Sequence, residues 1–81
     1  MLQLRPNCES CDHDIAPASV EAFICSFECT FCLDCADGKF GFVCPNCGGE
    51  LLRRPIRPAE KLKRFPASTK RIVKDHPPRG T

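Results

Sequence analysis

The sequence has no tryptophan, no tyrosine and a single methionine, and its only aromatic side chains are six phenylalanines. In a chain of 81 residues that is too little bulk for a self-supporting core. Domains of about 60 residues bury only about 60% of the surface their unfolded chains expose, and smaller ordered units usually need a metal, disulfides or a partner subunit. An ordinary enzyme cleft with a small-molecule substrate is not expected, because most ordered residues are engaged in holding one another. Long hydrophobic runs are missing too. Between Met1 and Cys8 there is none of the about 7–15 apolar residues that mark a signal peptide, and nowhere the about 18 that span a membrane. The expectation is therefore a cytoplasmic protein with no membrane partner.

What the chain does have is cysteine, eight residues in 81. In a reducing compartment such cysteines bind metal more often than they form disulfides, so they read as thiolate ligands. Their spacing is C-x2-C-x13-C-x3-C-x2-C-x2-C-x8-C-x2-C, at positions 8, 11, 25, 29, 32, 35, 44 and 47. A two-residue gap lets both sulfurs of a tight turn reach one ion at about 2.3 Å. Cys8/Cys11, Cys32/Cys35 and Cys44/Cys47 have that gap, and Cys25/Cys29 form a fourth pair across an expected hairpin. Four pairs of soft donors make two closed four-sulfur sites, which predicts two Zn²⁺ of the structural kind. Spacing alone admits either sequential or alternate pairs on each ion. An iron–sulfur centre is a rival, since Cys29, Cys32 and Cys35 form C-x2-C-x2-C, although the ferredoxin run continues differently. A catalytic thiol is not expected when every cysteine is a ligand. His13, two residues after Cys11, could replace a cysteine ligand, but eight thiolates already complete two tetrahedra.

Along the chain, Val20 to Ile24 predicts a strand and Glu28 to Phe31 its hairpin partner. Cys32 to Asp37 predicts one or two helical turns ended by Gly38, and Pro45, Gly48 and Gly49 mark a knuckle around Cys44 and Cys47. Phe23, Phe27, Phe31, Phe40 and Phe42 are the expected core between the metal sites, with Phe40 or Phe42 as a candidate exposed contact. Composition shifts near Leu51. Residues 51–81 carry five of the eight prolines, leaving room for short helices over Ala59 to Phe65 and Ser68 to Val73 and for disorder from Asp75 to Thr81.

Charge divides the chain at the same place. Residues 1–50 hold two basic and eight acidic groups, a formal −6, and residues 51–81 hold ten basic and two acidic groups, a formal +8. Two divalent ions on eight thiolates would take the first part to −10 and the chain to −2. The expected domains are thus 1–50, a two-zinc unit, and 51–81, a basic Pro-rich extension partly ordered against it. Arg53, Arg54, Arg57, Lys61, Lys63 and Arg64, with Lys70 and Arg71, could neutralise phosphates of a nucleic acid. With Phe65 as the only ring of the extension, base stacking has little support, and docking on the chain's own acidic part or on an acidic protein is the favoured reading.

Cys29-Thr-Phe-Cys32-Leu-Asp-Cys35 followed by Cys44-Pro-Asn-Cys47 resembles the central and final ligand pairs of the RING finger, whose ligands run as four pairs in series. The resemblance covers residues 8 to 50. It implies a small zinc-bound α+β domain of treble-clef type, with a short hairpin, one short helix and zinc knuckles arranged as a cross-brace. One zinc would take Cys8, Cys11, Cys32 and Cys35, and the other Cys25, Cys29, Cys44 and Cys47. Three departures argue against ubiquitin-ligase activity: Glu9 and Ser10 stand where those ligases place an apolar contact residue, only eight residues separate Cys35 from Cys44, and Gly48 follows the last ligand. The whole chain, including Arg53-Arg-Pro-Ile-Arg-Pro, also resembles a bacterial family of small proteins catalogued only as a domain of unknown function. The expected function is a non-catalytic, zinc-binding protein–protein adaptor or regulatory accessory protein, with nucleic-acid binding as the alternative and an iron–sulfur electron carrier as a third class.

Overall fold

The computed structural model describes residues 2–74. Strand β1 (Ala22–Ile24) is formed by residues whose aromatic and β-branched side chains fit a pleated surface. Glu28, in the left-handed region at φ 66°, turns the chain back into β2 (Thr30–Cys32). The two strands pair antiparallel, with Phe23 opposite Phe31. The third strand, β3 (Leu52–Arg53), lies on the other side of β1, with Phe23 opposite Arg53 and Ile24 opposite Leu52. The sheet therefore continues past residue 50, into the stretch expected to begin the extension.

After β2 the backbone winds into a wide helical turn, Cys35–Lys39, closed by the Phe40 N–H donating to the Cys35 carbonyl five residues back at 2.9 Å. Gly38 sits inside this turn and does not end it. The stop comes from Gly41 and Phe42, both left-handed at φ 57° and 62°, and the Phe42 N–H reaches back to the Ala36 carbonyl. The turn places Phe40 edge-on against Phe31, with ring centroids 5.0 Å apart. Those two rings, with Ile15, Ala22, Ala36 and Leu51, pack against five buried cysteines.

Two further expectations require correction. Phe27 does not join the core but stands 72% exposed at the hairpin tip, because the tight turn from Cys25 to Glu28 turns it outward. Phe42 is also exposed, as the contact-residue expectation allowed. A helix over Ser68 to Val73 is not formed. The Ser68 N–H donates to Leu4 O at 3.0 Å and the Lys74 N–H to Glu9 O at 2.8 Å, so the segment ties its ends to the N-terminal part, and the Ser68 hydroxyl takes the Lys70 N–H at 3.2 Å while β-branched Thr69, Ile72 and Val73 disfavour a helix. The earlier helix, α1, spans Ala59–Leu62 after Pro58. Residues 75–81, expected to be disordered, lie outside the described residues.

Arg54 is the other surprise. Expected among phosphate-binding residues, it is 1% exposed and donates from its guanidinium to Arg5 O at 3.0 Å and Ala16 O at 3.2 Å, while its own N–H donates to Ala22 O. It ties β3 to the two loops around the first cysteine pair and is not available to an outside phosphate. Hydrogen bonds from charged groups contribute about 1.5–3 kcal/mol each. Arg54→Ala is therefore expected to lower unfolding free energy by about 2–4 kcal/mol in denaturant titrations, whereas Arg53→Ala, at an exposed neighbour, should stay within about 0.5 kcal/mol. Equal effects would show that Arg54 is not a structural tie.

Candidate metal centres

Each cysteine knuckle is built by one hydrogen bond and one left-handed residue. In Cys8-Glu-Ser-Cys11, the Asp12 N–H returns to Cys8 O at 3.0 Å with Asp12 at φ 62°. In Cys44-Pro-Asn-Cys47, the Gly48 N–H returns to Cys44 O at 2.9 Å with Gly48 at φ 76°. Asp12 thus occupies in one knuckle the position glycine holds in the other, a substitution that short polar side chains tolerate best. At the hairpin, the Glu28 N–H returns to Cys25 O at 3.0 Å. Peptide N–H groups also point at sulfur, from Phe27 to Cys25 Sγ at 3.3 Å and from Gly49 to Cys47 Sγ at 3.4 Å. This is the support that thiolate ligands need.

The folded chain brings Cys8, Cys11, Cys32 and Cys35 together, with all four sulfurs within 4.8 Å of one another. Cys25, Cys44 and Cys47 form a second group on the same criterion. The sulfurs therefore meet in alternate order along the chain, first pair with third and second with fourth, which fits a two-zinc cross-brace. Cys29 stands beside the second group. Its thiol interacts with that of Cys25 and accepts a hydrogen bond from Asn46 Nδ2 at 3.3 Å. His13 belongs to neither group; its carbonyl takes the Cys8 N–H at 2.8 Å, and its side chain is exposed.

The donor geometry fits a metal ion. The Cys11 and Cys32 sulfurs are 3.7 Å apart, far from the about 2.05 Å of a disulfide. They match the about 3.8 Å edge of a tetrahedron whose metal–sulfur bonds are about 2.3 Å. Electrostatics point the same way. Burial pushes Cys32 up to about 11, and burial likewise pushes Cys44 up to about 12 and raises Cys35 further, with neighbouring thiols adding to each. In each group one sulfur runs the other way. Against the upward push of burial, backbone N–H groups of Cys11, Cys32 and Ser10 bring Cys8 below its usual value, and those of Phe27 and Cys29 do the same for Cys25. Burial, and then the nearness of other thiols, thus hold Cys32, Cys35 and Cys44 protonated, while backbone N–H groups favour the thiolate at Cys8 and Cys25. A divalent cation counters both burial and repulsion and lets the others deprotonate.

Two residues overlooked in the sequence connect the centres. Glu9, between Cys8 and Cys11, is 2% exposed. It accepts Asn46 Nδ2 at 2.6 Å and pairs with Arg5 at 3.4 Å. Asn46 lies between Cys44 and Cys47, so the first knuckle is bonded through Glu9 to the second. The position where ubiquitin ligases offer an apolar contact is here an inward-facing carboxylate. Its buried role could not be read from a single acidic letter in an acidic stretch.

The family model described as "Protein of unknown function (DUF1272)" matches residues 1–57. The chain belongs to that family. An uncharacterised protein of Rhizobium meliloti (strain 1021) is 65% identical over 74 residues, which cover 91% of this chain and 88% of that relative. No solved structure matches. No helix among the described residues is long and apolar enough to cross a membrane.

The knuckle geometry gives a direct test. Gly38 lies in a helical turn with open space around it and no positive φ, whereas Gly48 has open space but a φ of +76°. Gly48→Ala should cost about 1–2 kcal/mol in unfolding free energy, the left-handed penalty of a Cβ. Gly38→Ala should be neutral or stabilising by up to about 1 kcal/mol. Parallel denaturation of the two variants checks the contrast.

Proposed function

We propose that the chain is a non-catalytic, zinc-bound interaction module of the cytoplasm, in which two Zn²⁺ set the fold and its surface meets another protein. The observation that carries this reading is the Cys8/Cys11/Cys32/Cys35 cluster. Four sulfurs within 4.8 Å of one another, one pair of them at the edge length of a zinc–thiolate tetrahedron, would fill the coordination sphere, the donor set of structural rather than catalytic zinc. Cys25, Cys44 and Cys47, with Cys29 as the fourth donor, repeat that chemistry in the second centre. All-sulfur donors favour zinc over magnesium, calcium or manganese, and thiolate ligands suit a reducing compartment. Iron–sulfur ligation is the competing use of the same donors, and its mark would be visible colour in protein purified without oxygen.

A protein partner is supported by where the apolar surface lies. Phe27, at the tip of the hairpin loop between Cys25 and Cys29, is exposed, as are Leu52 and Ile56. A cleft of about 650 Å³ lined by Ile24, Leu52 and Pro55 opens beside Cys25 and Gly48. Exposed apolar side chains beside an apolar cleft on so small a chain are characteristic of contact surfaces. Nucleic-acid binding is the second reading. Arg53, Lys61, Lys63, Arg64 and Lys70 are exposed and make no ion pair among the described residues. Arg57 supports it less, since it donates to the carbonyls of Phe65 and Leu2.

Elemental analysis of protein purified without added metal should find two zinc ions per chain. One equivalent, or mostly iron, would sink the zinc reading. A strong chelator should abolish chemical-shift dispersion over residues 8 to 50, because binding free energy of about 10–16 kcal/mol per structural zinc is folding free energy. Affinity capture from native cells should retain a protein partner with the metal-loaded chain and lose it after chelation. Sequence-selective nucleic-acid binding tighter than about micromolar at physiological salt would instead decide for the second reading.

A further inference from the structure

The first knuckle carries a second layer that, among the described residues, the other centre lacks. Residues 66–74 run back across it, tied by backbone groups at Ser68, Ile72 and Lys74. The Ser68 N–H donates to Leu4 O at 3.0 Å, and the Lys74 N–H to Glu9 O at 2.8 Å. Between them the Ile72 carbonyl accepts Asn7 Nδ2 at 3.1 Å. Asn7 and Glu9 flank Cys8 in sequence, so two of the three backbone ties fall on the ligand turn itself.

Arg71 adds a side-chain clamp. Its Nε and one terminal nitrogen donate to Asp12 Oδ1 at 3.1 and 2.7 Å, that same nitrogen donates to Asp12 O at 2.8 Å, and the other terminal nitrogen meets Asp14 Oδ1 at 2.7 Å. Asp12 is the left-handed residue that closes the knuckle, and its Oδ1 also accepts Asn7 Nδ2 at 2.9 Å. Opening the knuckle would break this set together. On the remaining side, Lys39 Nζ donates to Ser10 Oγ at 2.7 Å.

The second centre has none of this among the described residues. Its final knuckle is tied outside its own turn through Asn46 and its hairpin through the Gln3 N–H donating to Glu28 Oε1 at 2.9 Å; each centre has one exposed cysteine, Cys11 and Cys47, but Cys29 stands outside the cluster of three.

We propose that residues 66–74 are a strap that locks the first metal centre, so that the chain holds one retained and one exchangeable ion. The inference depends on the zinc reading above and adds to it an inequality between the centres. Coupling of this kind is reciprocal: if strap docking tightens the ion, the ion tightens docking by the same factor.

The test uses the full chain loaded with two equivalents of zinc and a chromogenic chelator that reports release. Two phases are expected. Cadmium-loaded protein, in which cysteine signals identify each ion by NMR, should show the Cys25/Cys44/Cys47 ion leaving first. Arg71→Ala should speed the slow phase about two- to fivefold, the range open to exposed ion pairs, and leave the fast phase unchanged. Asp14→Asn, which alters only an exposed partner, should do the same to a smaller degree. Raising salt should speed the slow phase of the natural chain but not of the Arg71→Ala chain. A single phase for both ions, release in the opposite order, or a slow phase indifferent to both substitutions overturns the strap proposal while leaving the zinc reading standing. A chain that takes up no metal removes both.

Discussion

Mutual repulsion among sulfurs is the constraint on which this structure depends. Four thiols within 4.8 Å of one another cannot all ionise without a cation between them, and as neutral thiols they are weak hydrogen-bonding groups in place of strong ligands. The same cysteines form much of the interior. Of the buried apolar positions, Cys8, Cys25, Cys32, Cys35 and Cys44 outnumber the aliphatic residues larger than alanine, and Phe31 and Phe40 are the only buried rings among the described residues. Leu4, Ile15, Phe31, Phe40 and Leu51 contribute about 1.5–3 kcal/mol apiece by burial, so one structural zinc, at about 10–16 kcal/mol, would match all five together. On the proposed zinc reading, metal ligation and core formation are therefore one process in this chain.

Alternate pairing explains why short elements suffice. Because the first cluster joins positions 8 and 11 to 32 and 35, and the second joins 25 to 44 and 47, each centre closes a loop that contains part of the other. Two- and three-residue strands, too short to be stable by themselves, then need only fix orientation. The Glu9–Asn46 bond and the Glu9 N–H donating to Thr30 O at 2.9 Å set the angle between the knuckles and the sheet. Buried polar groups do here what a larger core would do by shape, and each must keep its partners to avoid a desolvation cost.

The cysteine pairs and the hairpin were legible because their physics is local, whereas the alternate grouping of those pairs came only with the RING resemblance. A two-residue gap between thiols limits the turn that can hold one ion, and Phe23-Ile24 and Thr30-Phe31 carry strand chemistry on either side of a tight turn. What could not be read was decided at long range. Leu52 and Arg53 look like the start of a basic tail until β1 is present to pair with them. Arg54 follows another arginine, and only the carbonyls of Arg5 and Ala16, far away in sequence, draw it inward. Ser68 to Val73 has a plausible capping residue for a helix, yet partners at Leu4, Asn7 and Glu9 outweigh a weak local preference. Cys29 shows the limit from the other side: its spacing marks it as a ligand, but its position beside the cluster depends on how Asn46 holds it.

Charge asymmetry, clear in the sequence, acts through fewer contacts than its size suggests. A formal −6 followed by +8 would lead one to expect a lattice of ion pairs between the two parts. Among the described residues only Arg71 of the basic part makes such pairs, with Asp12 and Asp14. Arg54 and Arg57 spend their guanidinium donors on backbone carbonyls, where the match is one of geometry rather than net charge. The return of the chain is fixed mainly by peptide groups, which are insensitive to salt, and is steered by one fork-shaped cation that can meet two carboxylates at once. Exposed lysines gain little from fixed pairing, because Coulomb attraction across water scarcely offsets the side-chain entropy lost. The arrangement therefore keeps Lys61, Lys63, Arg64 and Lys70 exposed while the first knuckle is covered, leaving the acidic and basic halves of the chain adjacent but not cancelled.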